Sequence, residues 1–340
     1  MTDTSHPRYP HRRLGFALGI AAILCWASAG AAASWLGKNL GLWPTLTIAC
    51  GIGGLAQLVC YLAMGHSVRA TLLPPAKLWG IILLGFPLYE FAHVAALTLS
   101  VGDTQTVGVN LINYLWPTLT VLFAVMWVPG TRGSMRLGVA AAVALAGVAV
   151  GNWRGVETVF GREAVSASNG WNGAAQLPLT PYLLVFVAAV AWAVYSALLS
   201  RWRAWADQYS TATPGFLSVS LVAAVVATAR GDWRPLSSVE WLVAVLAGLI
   251  VYAAGYMLWE LAIHRAPAEK LGLLSGAVPI LSTLCLYAMF ALTHPGDLSA
   301  SLGTSRADPS DILRQLAAAA LIAGAVFISM LPAKRAAAES

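Results

Sequence analysis

The chain has 340 residues, 59% of them apolar and only 10% charged, where an ordinary soluble domain carries about a quarter charged residues. Its net charge of +6 comes from basic residues scattered along the chain rather than gathered in a patch, which excludes a nucleic-acid-binding surface. The composition is that of an integral membrane protein with little left over for a soluble domain, since about 20 apolar residues cross the hydrocarbon core and runs of that length recur throughout.

Ten such windows are predicted, at 14–35, 44–64, 77–99, 104–128, 134–152, 181–201, 211–229, 239–262, 268–292 and 312–332. The segment after Arg12 and Arg13 is too long for a signal-peptide core and ends at Trp35 without a small-residue cleavage site, so it reads as the first span, carrying Trp26, Ser28, Gly30 and Ser34. The second opens with WPTLT and has Pro44 in its first turn, where the missing N–H costs nothing. In the third, Tyr89 and His93 share a helical face, with Glu90 one step round. The fourth contains NLINYLWPTLTVLF (Asn110–Phe123), which sets Asn110, Asn113, Tyr114 and Pro117 on one face. An unpaired amide in hydrocarbon costs several kcal/mol, so this face points into a bundle or a cavity.

A stretch rich in Gly, Asn and Ser follows the fifth window. The sixth carries Trp192, Tyr195, Ser196 and Ser200, and the seventh opens with TPGFL. In the eighth, Tyr252, Tyr256, Trp259 and Glu260 fall at i, i+4, i+7 and i+8, a single aromatic and acidic stripe. The ninth, within LLSGAVPILSTL, carries Pro279 where the fourth carries Pro117. A second irregular stretch, His294–Asp311, precedes the last window.

The first and sixth windows, the second and seventh, and the fourth and ninth match in pattern. The expected fold is therefore all-α, ten transmembrane helices in two inverted five-helix repeats around a central cavity. The cytoplasmic tail is 1–13, the first repeat 14–152, an external linker 153–180, the second repeat 181–332 and a second cytoplasmic tail 333–340. Five is odd, so the halves are related by an axis in the membrane plane, an arrangement suited to alternating access. Lys and Arg are in excess on the side of Arg12, Arg13, Lys77, Arg201 and Lys270, which places both termini in the cytoplasm.

Glu90 and Glu260, the two acids placed well inside spans, are candidates to hold a proton or to pair with a substrate amine, with His93 as a further partner; a carboxylate at that depth is costly enough to be functional by default. Pro117 and Pro279 are candidates for kinks and gates. Trp26 and Trp192 fit either helix packing or the wall of an aromatic cavity. Cys25, Cys50, Cys60 and Cys285 lack ligand-like spacing and read as packing residues, with no metal or cofactor implied. The His, Glu and Cys residues are too dispersed for an intramembrane enzyme. With no Lys or Arg inside the spans, a strongly anionic substrate is disfavoured and a neutral or zwitterionic one fits.

Ten spans in two inverted halves, each with a proline-bearing fourth span, resemble the drug/metabolite transporter superfamily of EamA type. NYLWPTLT (Asn113–Thr120), with Tyr89-Glu90 and AWAVY (Ala191–Tyr195), is similar more closely to that superfamily's aromatic amino acid exporters of Gram-negative inner membranes. The resemblance covers almost the whole chain. It implies export of phenylalanine, tyrosine, tryptophan and related amphipathic solutes, and carries cavity roles onto Tyr89, Tyr114, Trp116, Trp192, Tyr195 and Trp259, with Asn113 beside them. The partners are then the solute and the lipid bilayer; the oligomeric state is open, a monomer being compatible. The alternatives are a metabolite or drug exporter of broader specificity, or a facilitative channel of the same fold.

Overall fold

The computed structural model describes residues 12–129, 133, 135–153, 179–202, 206, 208–263, 265–266, 271, 274–293 and 309–330, and the regular structure among them is helical throughout. The helices in chain order are α1 (Arg12–Ala27), α2 (Ala29–Leu40), α3 (Leu42–Ala63), α4 (Val68–Leu72), α5 (Ala76–Leu83), α6 (Tyr89–Leu99), α7 (Gly102–Asn113), α8 (Trp116–Trp127) and α9 (Met135–Gly151). Then come α10 (Thr180–Arg201), α11 (Ala212–Arg230), α12 (Ser238–Leu246), α13 (Tyr256–Ile263), α14 (Val278–Thr293) and α15 (Pro309–Met330). A π-helical segment, Leu84–Leu88, joins α5 to α6, and a second, Ala247–Gly255, joins α12 to α13.

Among the described residues, eight continuous runs are long and apolar enough to cross a membrane: Arg12–Leu40, Leu42–Ala63, Ala76–Leu99, Gly102–Trp127, Thr180–Arg201, Ala212–Arg230, Ser238–Ala262 and Ser310–Ser329. The fifth and ninth windows correspond to α9 and α14, with 17 and 16 residues. At 1.5 Å per residue each reaches about 25 Å, short of the roughly 30 Å hydrocarbon core. The expected tails beyond these helices, most of the 153–180 linker and most of His294–Asp311 lie outside the described residues.

The two expected proline kinks are interruptions. Pro117 has no N–H for the Asn113 carbonyl, so the chain tightens ahead of it: the amides of Tyr114 and Leu115 bond the carbonyls three residues back, Leu111 at 3.1 Å and Ile112 at 3.0 Å. Pro117 thus becomes the second residue of a new helix, α8, where a proline is tolerated. Pro279 repeats the arrangement as the second residue of α14, behind a turn in which Ala277 bonds Leu274 at 3.0 Å. The first span is also interrupted, at Ser28, whose hydroxyl donates to the Cys25 carbonyl at 2.8 Å.

Pro87 explains the first π segment: it lacks the amide that an α-turn would bond to Leu83, and the wider turn absorbs the loss. In the second, the Tyr252 carbonyl accepts a bond at 2.6 Å from the side chain of Gln57, fully buried on α3, and Thr213 on α11 donates to Gln57 at 2.9 Å. The buried Gln57 amide is tolerable because both its nitrogen and its oxygen find partners on other elements.

Packing joins the first part of the chain to the second. α3 lies along α11, α9 along α15, α6 and the first π segment against α10, and α1 against α13 and the second π segment. Small residues allow the close approach of α3 and α11: a Cβ on Gly51 would stand 2.7 Å from the Ser220 hydroxyl, which donates to the Thr47 carbonyl at 2.7 Å. Gly53 meets Tyr252 and Gly54 meets Leu217, so this glycine patch serves packing within the chain. Leu24, Leu55, Val59, Leu183, Leu221 and Leu242 face outward, as a lipid-covered surface requires.

Candidate substrate site

Where α5 gives way to α6, Phe86 turns inward and is 1% exposed. Its ring centroid is 5.4 Å from Trp192, 5.3 Å from Tyr195, 5.0 Å from Phe216 and 6.2 Å from Tyr256. Trp192 also lies 5.0 Å from Tyr89, and Tyr256 lies 5.4 Å from Trp26, itself 5.2 Å from Trp259. One connected set of rings therefore joins α1, the first π segment with α6, α10, α11 and α13. Most contacts are edge-to-face or tilted, each worth about 0.5–1.5 kcal/mol beyond the area buried. Two glycines make room: a Cβ on Gly85 would run into the Tyr195 ring, and one on Gly215 into the Phe86 ring.

Hydrogen-bonding groups around the rings are few. Asn113 Nδ2 donates to the Tyr89 hydroxyl at 3.2 Å, and the Tyr89 ring stacks on His93 at 5.2 Å. The Tyr195 hydroxyl bonds Thr211 at 2.7 Å. Three buried polar atoms attached to this set have no partner among the described residues: the indole Nε1 of Trp26, Nε2 of His93 and Oδ1 of Asn113. They amount to a donor, an imidazole nitrogen and an acceptor beside an aromatic wall, and an unpaired buried polar atom costs about 1–3 kcal/mol until something satisfies it.

Of the residues expected at the site, Tyr89, Trp192, Tyr195 and Trp259 come together here, with Asn113 bonded to Tyr89 and His93 stacked on it. Tyr114 and Trp116 make no ring contact with this set among the described residues. The turn behind Pro117 re-aims the chain after Asn113, and Tyr114 packs with Val278 and Phe290 in a cluster that Trp259 also borders. Trp116 is half-buried and makes no ring contact among the described residues. Asn110 binds across the chain instead, donating to Ser282 on α14 at 3.0 Å.

The expected stripe of the eighth span is split by the second π segment, which breaks the regular period. Tyr252 meets Phe216 and Glu90, Tyr256 joins the rings, Trp259 meets Trp26, and Glu260 accepts a hydrogen bond from Tyr61 on α3. Glu90, 2% exposed, accepts from the Tyr252 hydroxyl at 3.2 Å.

Phe86, Phe216 and Gln57 escape a reading by helical faces. The available signals were Pro87 beside Phe86 and Pro214-Gly215 before Phe216, a helix perturbation and a Cβ-free approach. A small cleft opens at the far end of α10, between Tyr182, Asn152, Gln105 and Gln315.

The described residues are those of an all-helical, multi-pass membrane protein with an aromatic interior and few hydrogen-bonding groups around it. The chain is 30% identical over 274 residues to the aromatic amino acid exporter YddG of Ancylobacter novellus, covering 79% of this chain and 86% of that protein. It is 24% identical over 294 residues to the YddG of Salmonella typhimurium (84% and 90% covered) and 26% identical over 185 residues to that of Escherichia coli K12 (54% and 58%). A solved crystal structure superimposes with a TM-score of 0.62 at 26% identity, covering 97% of this chain and 100% of the other. No family model matches. At this identity and coverage the chain belongs to the YddG family of the drug/metabolite transporter superfamily.

Proposed function

We propose that this protein exports aromatic amino acids across the inner membrane by alternating access, with the ring cluster as its binding site. The observation that carries the proposal is the joining of an aromatic wall to three unpartnered buried polar atoms. A zwitterionic amino acid with an aromatic side chain matches both parts. Its ring takes the place of one of the contacts that Phe86, Trp192 and Tyr256 now make with one another, its ammonium suits the Asn113 Oδ1 acceptor, and its carboxylate suits the Trp26 Nε1–H donor, with His93 beside them. The relatives' name, aromatic amino acid exporter, agrees with this chemistry. Because the rings are packed on one another, the present conformation is closed around the site, and solute entry requires them to part.

Ten spans in two inverted halves are supported by matched features. The third and eighth spans each carry a π segment, and the fourth and ninth each restart at a helix whose second residue is proline. Packing has the same symmetry, α6 on α10 as α13 on α1, and α3 on α11 as its own counterpart. Such halves rock about a midplane site. With the basic excess in the cytoplasm, both termini are cytoplasmic, and α8 and α14 move where their preceding turns flex.

The test is counterflow in liposomes holding the purified protein: labelled tryptophan outside, unlabelled phenylalanine inside. A carrier gives a saturable transient accumulation of label, reduced about tenfold or more by Trp192→Ala. Absence of exchange by folded protein overturns the proposal. Flux without saturation or counterflow identifies a channel instead.

A further inference from the structure

We infer that Glu90 is a proton-binding site that couples solute export to proton entry, loaded and emptied as the two π segments shift. The inference rests on the exporter reading above and concerns a carboxyl that the binding site does not use.

Glu90 lies at mid-span, 2% exposed, two residues past the first π segment. Its side-chain partner, the Tyr252 hydroxyl at 3.2 Å, lies inside the second. One hydrogen bond thus joins a residue just past the first π segment to a residue inside the second. Titratable neighbours are Cys50 on α3, Tyr252 and Tyr256 on the eighth span and Tyr89 on its own. Among other packed elements, α10 brings Tyr195 and α2 brings Lys38, which is engaged far along the span with Thr106 at 2.8 Å. No described cation faces the carboxyl, so its ionised form lacks compensation in this conformation, whereas the acid form sits there at little cost.

The π turns supply the movement. A π segment holds one residue more than the α-turns flanking it, and passing that residue along the helix rotates the neighbouring turns by about 100°. Tyr89 faces the solute site and Glu90 is the next residue, so a shift of one residue changes which of the two faces the site. The same shift breaks the bond to Tyr252 and exposes the carboxyl to the open side. The chemistry is the loss and gain of one proton by a carboxyl group, given to the water of one side and taken from the other; no other bond changes.

The experiment uses the full chain in liposomes with an acidic interior, a gradient of one pH unit, equal potassium on both sides and valinomycin to hold the potential at zero. One proton exchanged per solute supports up to about tenfold accumulation of tryptophan inside at that gradient. The expected results are accumulation by the wild type, accumulation by Glu90→Asp, and none by Glu90→Gln, which still exchanges tryptophan for phenylalanine. Wild-type exchange without accumulation overturns coupling and leaves the exporter reading standing; absence of wild-type exchange overturns both. Undiminished accumulation by Glu90→Gln overturns the assignment to Glu90. If Glu90→Gln loses exchange as well, Glu90→Asp decides: exchange with accumulation supports the site, exchange without it overturns it.

Discussion

Asn113 donates to the Tyr89 hydroxyl at 3.2 Å, and this bond ties the last residue of α7 to the aromatic wall on α6. Tyr89→Phe keeps the ring against Trp192 and removes only the acceptor, leaving the Asn113 amide with neither of its side-chain atoms satisfied. A hydrogen bond of this kind is worth about 1 kcal/mol, so the KM for tryptophan exchange is expected to rise roughly fivefold with the protein still folded. An unchanged KM removes Asn113 from the solute site.

Trp192 touches Phe86, Tyr89, Tyr195 and Tyr256, whereas Trp116 touches no described ring. Alanine at 192 is therefore expected to cost more exchange activity than alanine at 116, by about tenfold, the size of one or two aromatic contacts. Equal losses measured in the same vesicles would return Trp116 to the site and require its helix to swing inward during transport.

Gln57 bonds the Tyr252 carbonyl at 2.6 Å and accepts from Thr213 at 2.9 Å while fully buried. Gln57→Leu removes the side-chain donor to the Tyr252 carbonyl and leaves the Thr213 hydroxyl with Ser210 alone, and is expected to lower stability by about 1–3 kcal/mol. Thermal unfolding in detergent reads this as a fall in Tm of several degrees. A Tm equal to the wild type shows that the second π segment stands without its side-chain support.

Gly215→Ala drives a Cβ into the Phe86 ring, and the ring cannot move without disturbing Trp192, Tyr195 and Tyr256. Overpacking of this kind costs about 1–3 kcal/mol, so both Tm and exchange should fall. Gly138→Ala meets nothing within 4 Å and serves as the comparison, with a change of about 0.5 kcal/mol or less.

Much of the architecture was legible in composition alone, because hydrocarbon leaves a long apolar segment few alternatives to a helix. The ring cluster of the candidate site was legible where a residue's neighbours obey regular helical spacing: Tyr89 with His93, and Trp192 with Tyr195. It was hidden where the backbone departs from that spacing. Pro87 and the Ala247–Gly255 segment reset the register ahead of Tyr89 and Tyr256, which is why Glu260 leaves its stripe for Tyr61 and Phe86 reaches the centre. Pro117 is visible in the sequence, but as a bend; its missing amide ends one helix and starts another, and Trp116 departs with the second. Gln57 was hidden because its partners, a Tyr252 carbonyl and Thr213, lie more than 150 positions downstream.

That last separation bears on how the protein is made. Glu90, Asn110 and Gln57 all enter the bilayer with the earlier half of the chain, and all find their side-chain partners in the later half, at Tyr252, Ser282 and Thr213. During synthesis these groups wait in the membrane without the bonds that make them tolerable, and the wait ends only when the ribosome has delivered α11, the second π segment and α14. A chain cut short before Ser282 leaves polar groups without these partners in hydrocarbon, at a cost of several kcal/mol for each one left unpaired, so the later half completes the solvation of the earlier.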